Sequence, residues 1–282
     1  MLHDTELTKE LQAIRTRFVG RIEEWLPGIE AVRADLNVGM FTRTDLKGLQ
    51  SRLHKIAGSA GSFGFSRFSV AALALERQLE TLRMTGHGIG LVAGMLPDFD
   101  VFLAEAVNLI TTFRDPSPET RTSAAASPKG PALLDKPALL TVVPPSPTVP
   151  GPLILVVDDD DLMRDFVTKG LAANGWSCIE AGTGQGVLDC LNELESDLRG
   201  RCPDLIILDV EMPDMDGFTT LSLLKDSPQW RNIPIMMLTA KDEDISFIRG
   251  YSKGATEYLT KPIELPVLAK VVRDLLSRMD LL

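Results

Sequence analysis

Four consecutive aspartates, Asp158 to Asp161, follow the apolar run LILVV, and another, Asp209, follows the run LIIL. Thr239 closes a third apolar run, IMML, and Lys261 comes just after a fourth short run that begins at Glu257. Carboxylates crowded together repel one another, and a bound divalent cation removes that cost. Hard oxygen ligands with open positions favour Mg²⁺, which keeps several waters and bridges to phosphate oxygens. A hydroxyl and an ammonium beside such a set suit phosphoryl transfer, where catalysis is mostly positioning and charge stabilisation. Asp209 is then the candidate nucleophile, a carboxylate able to form an acyl phosphate. Glu211, Pro213 and Gly217 follow it closely.

A second candidate lies in the other half of the chain. There are three histidines: His3, His54 and His87. His3 belongs to the ragged N-terminus and His87 to a Gly-rich turn, so both read as solvated. His54 sits mid-helix in LHKIAGSAGSFGF. At 100° per residue, Leu46, Leu49, Leu53, Ile56, Ala60 and Phe63 gather on one face, while Lys47, Gln50, His54, Gly58 and Gly61 gather on the adjacent one. Two helical glycines cost about 1 kcal/mol each relative to Ala. Four and seven residues after His54, they leave its imidazole open to a partner, as an exposed phosphoacceptor requires. Lys47 and Lys55 can offset phosphate charge. Each feature alone has a plainer reading: a solvated acidic turn, a structural threonine, a half-buried Tyr258, a surface histidine. Their joint placement carries the chemistry.

That placement depends on the elements. From Thr8 to Phe113 the pattern is helical. A first helix is expected over about Thr8–Ala34, kinked or interrupted at Pro27-Gly28. A second starts at Thr44 as N-cap and runs to Ser62, a third covers Ser66–Arg83, and a fourth runs from Leu91 or Pro97 to Phe113. Short connections between them predict an antiparallel four-helix bundle over residues 1–114. Residues 115–152 are rich in Pro, Ser, Thr and Ala, which suits a flexible linker of about 38 residues spanning roughly 35 Å. Beyond it, over 153–282, short strand patterns (Leu153–Val157, Ser177–Ala181, Leu205–Leu208, Ile235–Leu238, Glu257–Leu259) alternate with amphipathic segments. Five alternations predict an α/β doubly wound, five-stranded parallel sheet, which binds ligands beyond the carboxyl ends of its strands. All the acidic and basic residues above fall at that rim. The run Gly182–Gly186 lacks the Lys of a P-loop and does not match GxGxxG, so it reads as the loop after the second strand.

Composition narrows the function. A hydrophobic share of 44% marks a globular protein. A formal charge of −10 argues against a nucleic-acid binder, which needs a basic stripe. The sequence shows no apolar run long enough for membrane insertion and no signal peptide. Cys178, Cys190 and Cys202 form no CxxC pair and read as reduced thiols of a cytoplasmic protein.

LILVVDDDD, DLIILDVEMPDMDG, IMMLTA and EYLTKP together resemble the four landmark segments of response-regulator receiver domains, in order and at the right spacing. The resemblance implies that Asp209 accepts a phosphoryl group. It further implies that Asp159 ligates Mg²⁺ directly, that Asp158 acts through water, and that the backbone carbonyl of Glu211 completes the set. Lys261 and Thr239 would hold phosphoryl oxygens, Tyr258 would be the aromatic switch, and the bond before Pro262 would be cis. HKIAGSAGSFGF resembles the histidine-phosphotransfer (HPt) family, which implies phosphohistidine at His54. Many members carry Lys three residues after the histidine, where this chain has Ala57.

The combined reading is a phosphorelay signalling protein, flavodoxin-like in its second domain. It would exchange phosphoryl groups with a sensor histidine kinase, another receiver or another HPt protein, or between its own two sites. It would not be an enzyme beyond catalysing its own phosphorylation and dephosphorylation. No kinase or output domain is legible. The alternative is an interaction module in which His54 transfers nothing. A haloacid-dehalogenase-like phosphatase would need a second aspartate at Glu211.

Overall fold

The computed structural model describes residues 2–85, 89–114, 151–196, 202–239 and 254–279. His87 and residues 115–150 of the expected linker lie outside them.

The N-terminal half comprises α1 (Leu2–Val38), α2 (Arg43–Ser62), α3 (Ser66–Thr85) and α4 (Ile89–Arg114), packed as a bundle. α1 runs unbroken through Pro27 for 37 residues, contrary to the expected interruption. Ile22, Ile29 and Leu36 recur every seven residues and are almost fully buried, so one apolar stripe continues in register past the proline. Burying each such side chain contributes about 1.5–3 kcal/mol, and together they offset a proline cost of about 3 kcal/mol. α4 likewise contains Pro97, with Met95, Phe99 and Phe102 buried on either side of it.

α2 is capped by Thr42, not Thr44. The Thr42 hydroxyl accepts from the Asp45 backbone N–H at 3.2 Å, and the Asp45 carboxylate accepts from the Thr42 N–H at 2.8 Å. An aspartate replaces the Glu or Gln usual in this reciprocal cap, which hid the signal. Gly64, at φ +91, ends the turn into α3.

The C-terminal half alternates β1 (Leu153–Val157), α5 (Asp161–Ala172), β2 (Ser177–Ala181), α6 (Gly184–Ser196), β3 (Leu205–Asp209), α7 (Gly217–Asp226), β4 (Ile235–Thr239), β5 (Glu257–Thr260) and α8 (Leu265–Ser277). The five strands form one parallel sheet in the order β2-β1-β3-β4-β5. β3 and β4 are buried throughout and β1 nearly so, which explains their unbroken apolar runs, while β2 and β5 are partly exposed edges. The winding direction reverses between β1 and β3, so the crevice beyond their carboxyl ends is where such a sheet binds ligands.

The two halves pack against each other. The core of the bundle continues into the layer on one face of the sheet through an edge-to-face contact of Phe63 with Phe166, at 5.3 Å between ring centroids. Among the described residues, no helix is long and apolar enough to cross a membrane.

Candidate functional site

The crevice between β1 and β3 gathers three carboxylates. Oxygens of Asp158, Asp159 and Asp209 lie within 4.8 Å of one another. Asp209 is the last residue of β3 and only 3% exposed; Asp158, just past β1, is 2% exposed. Gly217 lets the chain after Asp209 fold back tightly, since a Cβ there would overlap the Asp209 carbonyl. Lys261 follows β5, and its backbone N–H is held by the Thr239 carbonyl at 2.7 Å. Its ammonium reaches Asp158 at 2.9 Å and Asp209 at 3.0 Å. The bond between Lys261 and Pro262 is cis, as the resemblance implied.

The electrostatics follow from crowding. Burial raises the pKa of the Asp209 carboxyl against the pull of Lys261, and the charge of Asp158 adds to the rise. Burial alone would favour neutral Lys261, but Asp158 and Asp209 outweigh it and raise its pKa, keeping the ammonium charged. Three hard oxygen donors with one internal cation fit a divalent ion such as Mg²⁺ by donor chemistry.

The aspartates of the 158–161 run divide their tasks. Asp158 and Asp159 belong to the cluster. Asp160 caps α5, accepting from the Leu162 N–H at 3.0 Å, and Asp161 opens that helix. Thr239 is buried at the end of β4, beside the strand that bears Asp209. Tyr258 is half-buried on β5, against the layer of Leu208 and Met237.

His54 lies across the crevice. His54, Lys55, Gly58 and Ser59 of α2 line one cavity of about 10 Å³ together with Asp158, Asp159, Asp209 and Lys261. The imidazole is therefore covered, with its side chain 15% exposed, whereas the sequence suggested an open face. The sheet domain covers it at the two glycines. A Cβ at Gly58 would sit 3.3 Å from the Lys261 side chain, and one at Gly61 would sit 2.7 Å from Pro262 Cβ. The approach that these glycines permit is thus made by the other half of the chain.

Nδ1 of His54 is held from two sides, at 3.0 Å from Glu76 Oε1 and 3.1 Å from Glu211 Oε2. Burial lowers the pKa of the ring, but the Glu76 hydrogen bond and the charges of Glu211 and Glu76 outweigh it and leave the pKa raised. Sequence reasoning missed Glu76. It lies on α3 among buried Ala72, Leu75 and Leu79, itself 6% exposed. A carboxylate set directly beside buried Leu75 in an apolar stripe was the available signal. The Glu211 side chain faces the histidine, which leaves only its backbone carbonyl for the role the resemblance gave it. No lysine stands at position 57. Instead Lys55 pairs with Asp159 at 2.9 Å, and Lys47 stays exposed.

Comparison with known proteins agrees with both halves. A model of the Hpt domain matches residues 6–115, and a model of the response regulator receiver domain matches residues 154–273. The DNA-binding dual master transcriptional regulator RpaA of Synechocystis sp. is 36% identical over 129 residues, covering 46% of this chain and 51% of that protein. The response regulator PleD of Caulobacter vibrioides is 40% identical over 122 residues, covering 43% of this chain and 25% of that one. The chain spans about half the length of the first of these relatives, or less of the other. The receiver domain of a signal transduction histidine kinase from Syntrophus aciditrophicus aligns with a TM-score of 0.40 at 33% identity, covering 45% of this chain and 91% of that one. Residues 6–115 of this chain are an Hpt domain and residues 154–273 a response regulator receiver domain.

Proposed function

We propose that this protein is a station in a two-component phosphorelay, with Asp209 as the phosphoacceptor of the receiver and His54 as that of the Hpt domain. The observation that carries the reading is the single cavity that both residues line, with Lys261 bound to Asp158 and Asp209 at its floor. Asp158, Asp159, Asp209 and the Glu211 carbonyl would hold Mg²⁺, which supplies charge neutralisation for the incoming phosphate oxygens. Asp209 is the nucleophile. Lys261 is placed to pair with an oxygen of the bound phosphoryl group, and Thr239 to bond another once the β4 end adjusts, with Tyr258 following as the switch. Glu76 accepts from Nδ1–H of His54, with the Glu211 carboxylate 3.1 Å from the same nitrogen, and this selects the tautomer whose Nε2 carries the free lone pair.

The protein's own chemistry is limited to taking up and losing its phosphoryl group. Its partners are a sensor histidine kinase and other receiver or Hpt proteins. Incubating the purified chain with Mg²⁺ and radiolabelled acetyl phosphate tests the scheme. Base-labile label should appear on Asp209 and acid-labile, base-stable label on His54. Asp209→Ala should lose both kinds, since His54 is loaded through Asp209, and His54→Ala the second alone; label that survives both substitutions refutes the assignment.

A further inference from the structure

We propose that the receiver of the same chain is the relay partner of the Hpt domain, and that an arginine pair on α1 selects it. This rests on the phosphorelay reading above, and it adds which molecule supplies the partner and which residues choose it.

The surface has the make-up of a specific interface: an apolar centre, a polar rim and complementary charge. At its centre Phe63, 1% exposed, meets Phe166, 6% exposed, edge to face. Next to that contact the Ile263 backbone N–H donates to the Ser62 hydroxyl at 2.8 Å. Ser59, 1% exposed, donates to Asp160 Oδ2 at 2.6 Å. Around this centre the receiver presents acid to base of the Hpt domain at Asp160, Asp161 and Asp165, while one pair, Lys169 with Glu10 at 3.0 Å, runs the other way. Arg21 binds Asp160 at 2.6 Å and also reaches Asp161. Arg17 binds Asp161 at 3.0 Å and also reaches Asp165.

Arg17 and Arg21 are one turn apart on α1, and Asp161 and Asp165 one turn apart on α5. Two helices therefore meet through a ladder of opposite charges. The receiver's Lys261, Asp158, Asp159 and Asp209 line the cavity at the inner end of this ladder, whose Asp160 also lines it, and Glu211 reaches His54 at 3.1 Å. Because about 38 residues of chain join the two domains, their effective concentration is on the order of mM, well above that of a dilute partner.

Within the closed pair the transfer balances without another reactant. The bond between phosphorus and the Asp209 carboxylate oxygen breaks as a bond between phosphorus and His54 Nε2 forms. Asp209 departs as a carboxylate beside Lys261. The ring keeps its proton on Nδ1 and gains a positive charge, which the Glu76 and Glu211 carboxylates oppose. The reverse step uses the same groups.

The test follows label on the full-length chain after loading from acetyl phosphate with Mg²⁺. Transfer to His54 should be first order and unchanged on dilution over two orders of magnitude. A mixture of Asp209→Ala and His54→Ala chains should transfer more slowly and in proportion to concentration. Arg17→Glu should reduce the His54 label relative to the Asp209 label by about 10-fold, since it turns two attractions into repulsions. Adding Asp165→Arg to that variant should restore much of the loss. If His54 is labelled only in proportion to concentration, or the second substitution rescues nothing, this inference falls while the relay reading stands. If neither the wild type nor the mixture labels His54, the relay reading itself falls.

Discussion

Gly61→Ala separates the packing of the Hpt domain from its docking on the receiver, because the two respond with opposite sign. Gly61 lies in the last turn of α2. A methyl group there would stand 2.7 Å from Pro262 Cβ and 3.2 Å from Pro262 Cγ and the Ser69 hydroxyl. Carbon atoms in contact prefer about 3.5–4.0 Å, so the receiver loop must withdraw by about 1 Å. That loop cannot yield cheaply, because Lys261 beside it is tied to Asp158 and Asp209, and Ile263 on its other side to Ser62. Overpacking of this kind costs about 1–3 kcal/mol, which lowers the docked-to-open ratio ~5- to 150-fold. Within the bundle, replacing helical Gly by Ala contributes about 1 kcal/mol of stability, less whatever the Ser69 hydroxyl costs in shifting. Hydrogen exchange on peptides from α1 and α5 reads the docked population, and thermal melting reads the bundle. The expected result is faster exchange at Arg17–Ile22 and along α5 with no loss of bundle stability, and a matching fall in His54 label. Unchanged exchange and labelling in Gly61→Ala would refute the idea that this close approach holds the site shut. Gly58→Ala should be milder, since its new methyl meets the flexible Lys261 side chain at 3.3 Å.

Lys55 competes with a metal for Asp159, which it pairs at 2.9 Å; Lys55→Ala should therefore tighten Mg²⁺ binding by calorimetry about 2- to 5-fold, and equal or weaker binding would contradict this. Glu76→Ala removes a hydrogen bond to a ring that becomes charged, worth about 1.5–3 kcal/mol, so transfer to His54 should slow ~10- to 150-fold. Glu76→Gln, which keeps an acceptor for Nδ1–H, should recover part of that rate; no loss in Glu76→Ala with an unchanged circular dichroism spectrum would remove its positioning role. Burial, helped by the charge of Glu180, pushes the Cys178 thiol up to about 12. Since only the thiolate reacts, Cys178 should resist alkylation up to about that pH, whereas a free thiol titrates near ~8.5; rapid labelling of Cys178 at neutral pH, read by mass spectrometry, would disprove it.

Much of this protein is legible in one dimension. Apolar runs of strand length, each ending at Asp158, Asp209, Thr239 or just short of Lys261, place the chemistry at one rim, because a parallel sheet has its carboxyl ends on one side. The strand boundaries agree with the structure to within a residue, since strands buried on both faces read as unbroken apolar runs. His54 stands out by its glycines, which only a close approach explains. Where local rules misread the chain, distant packing had overridden them: α1 passes Pro27 because Ile22, Ile29 and Leu36 share one buried stripe.

What the sequence could not contain is which surfaces meet. Glu76 reaches His54 from 22 residues away, and Arg17 and Arg21 reach Asp160, Asp161 and Asp165 across about 140 residues. Periodicity says which face of a helix is polar but not what that face binds, so these residues looked like ordinary solvated charges. The open face expected around His54 is closed by Lys261 and Pro262. The sequence thus marked the two proposed acceptors, through local pattern and residue type. The tertiary structure alone decided that they share a cavity, because contacts between separate domains leave no period in either one.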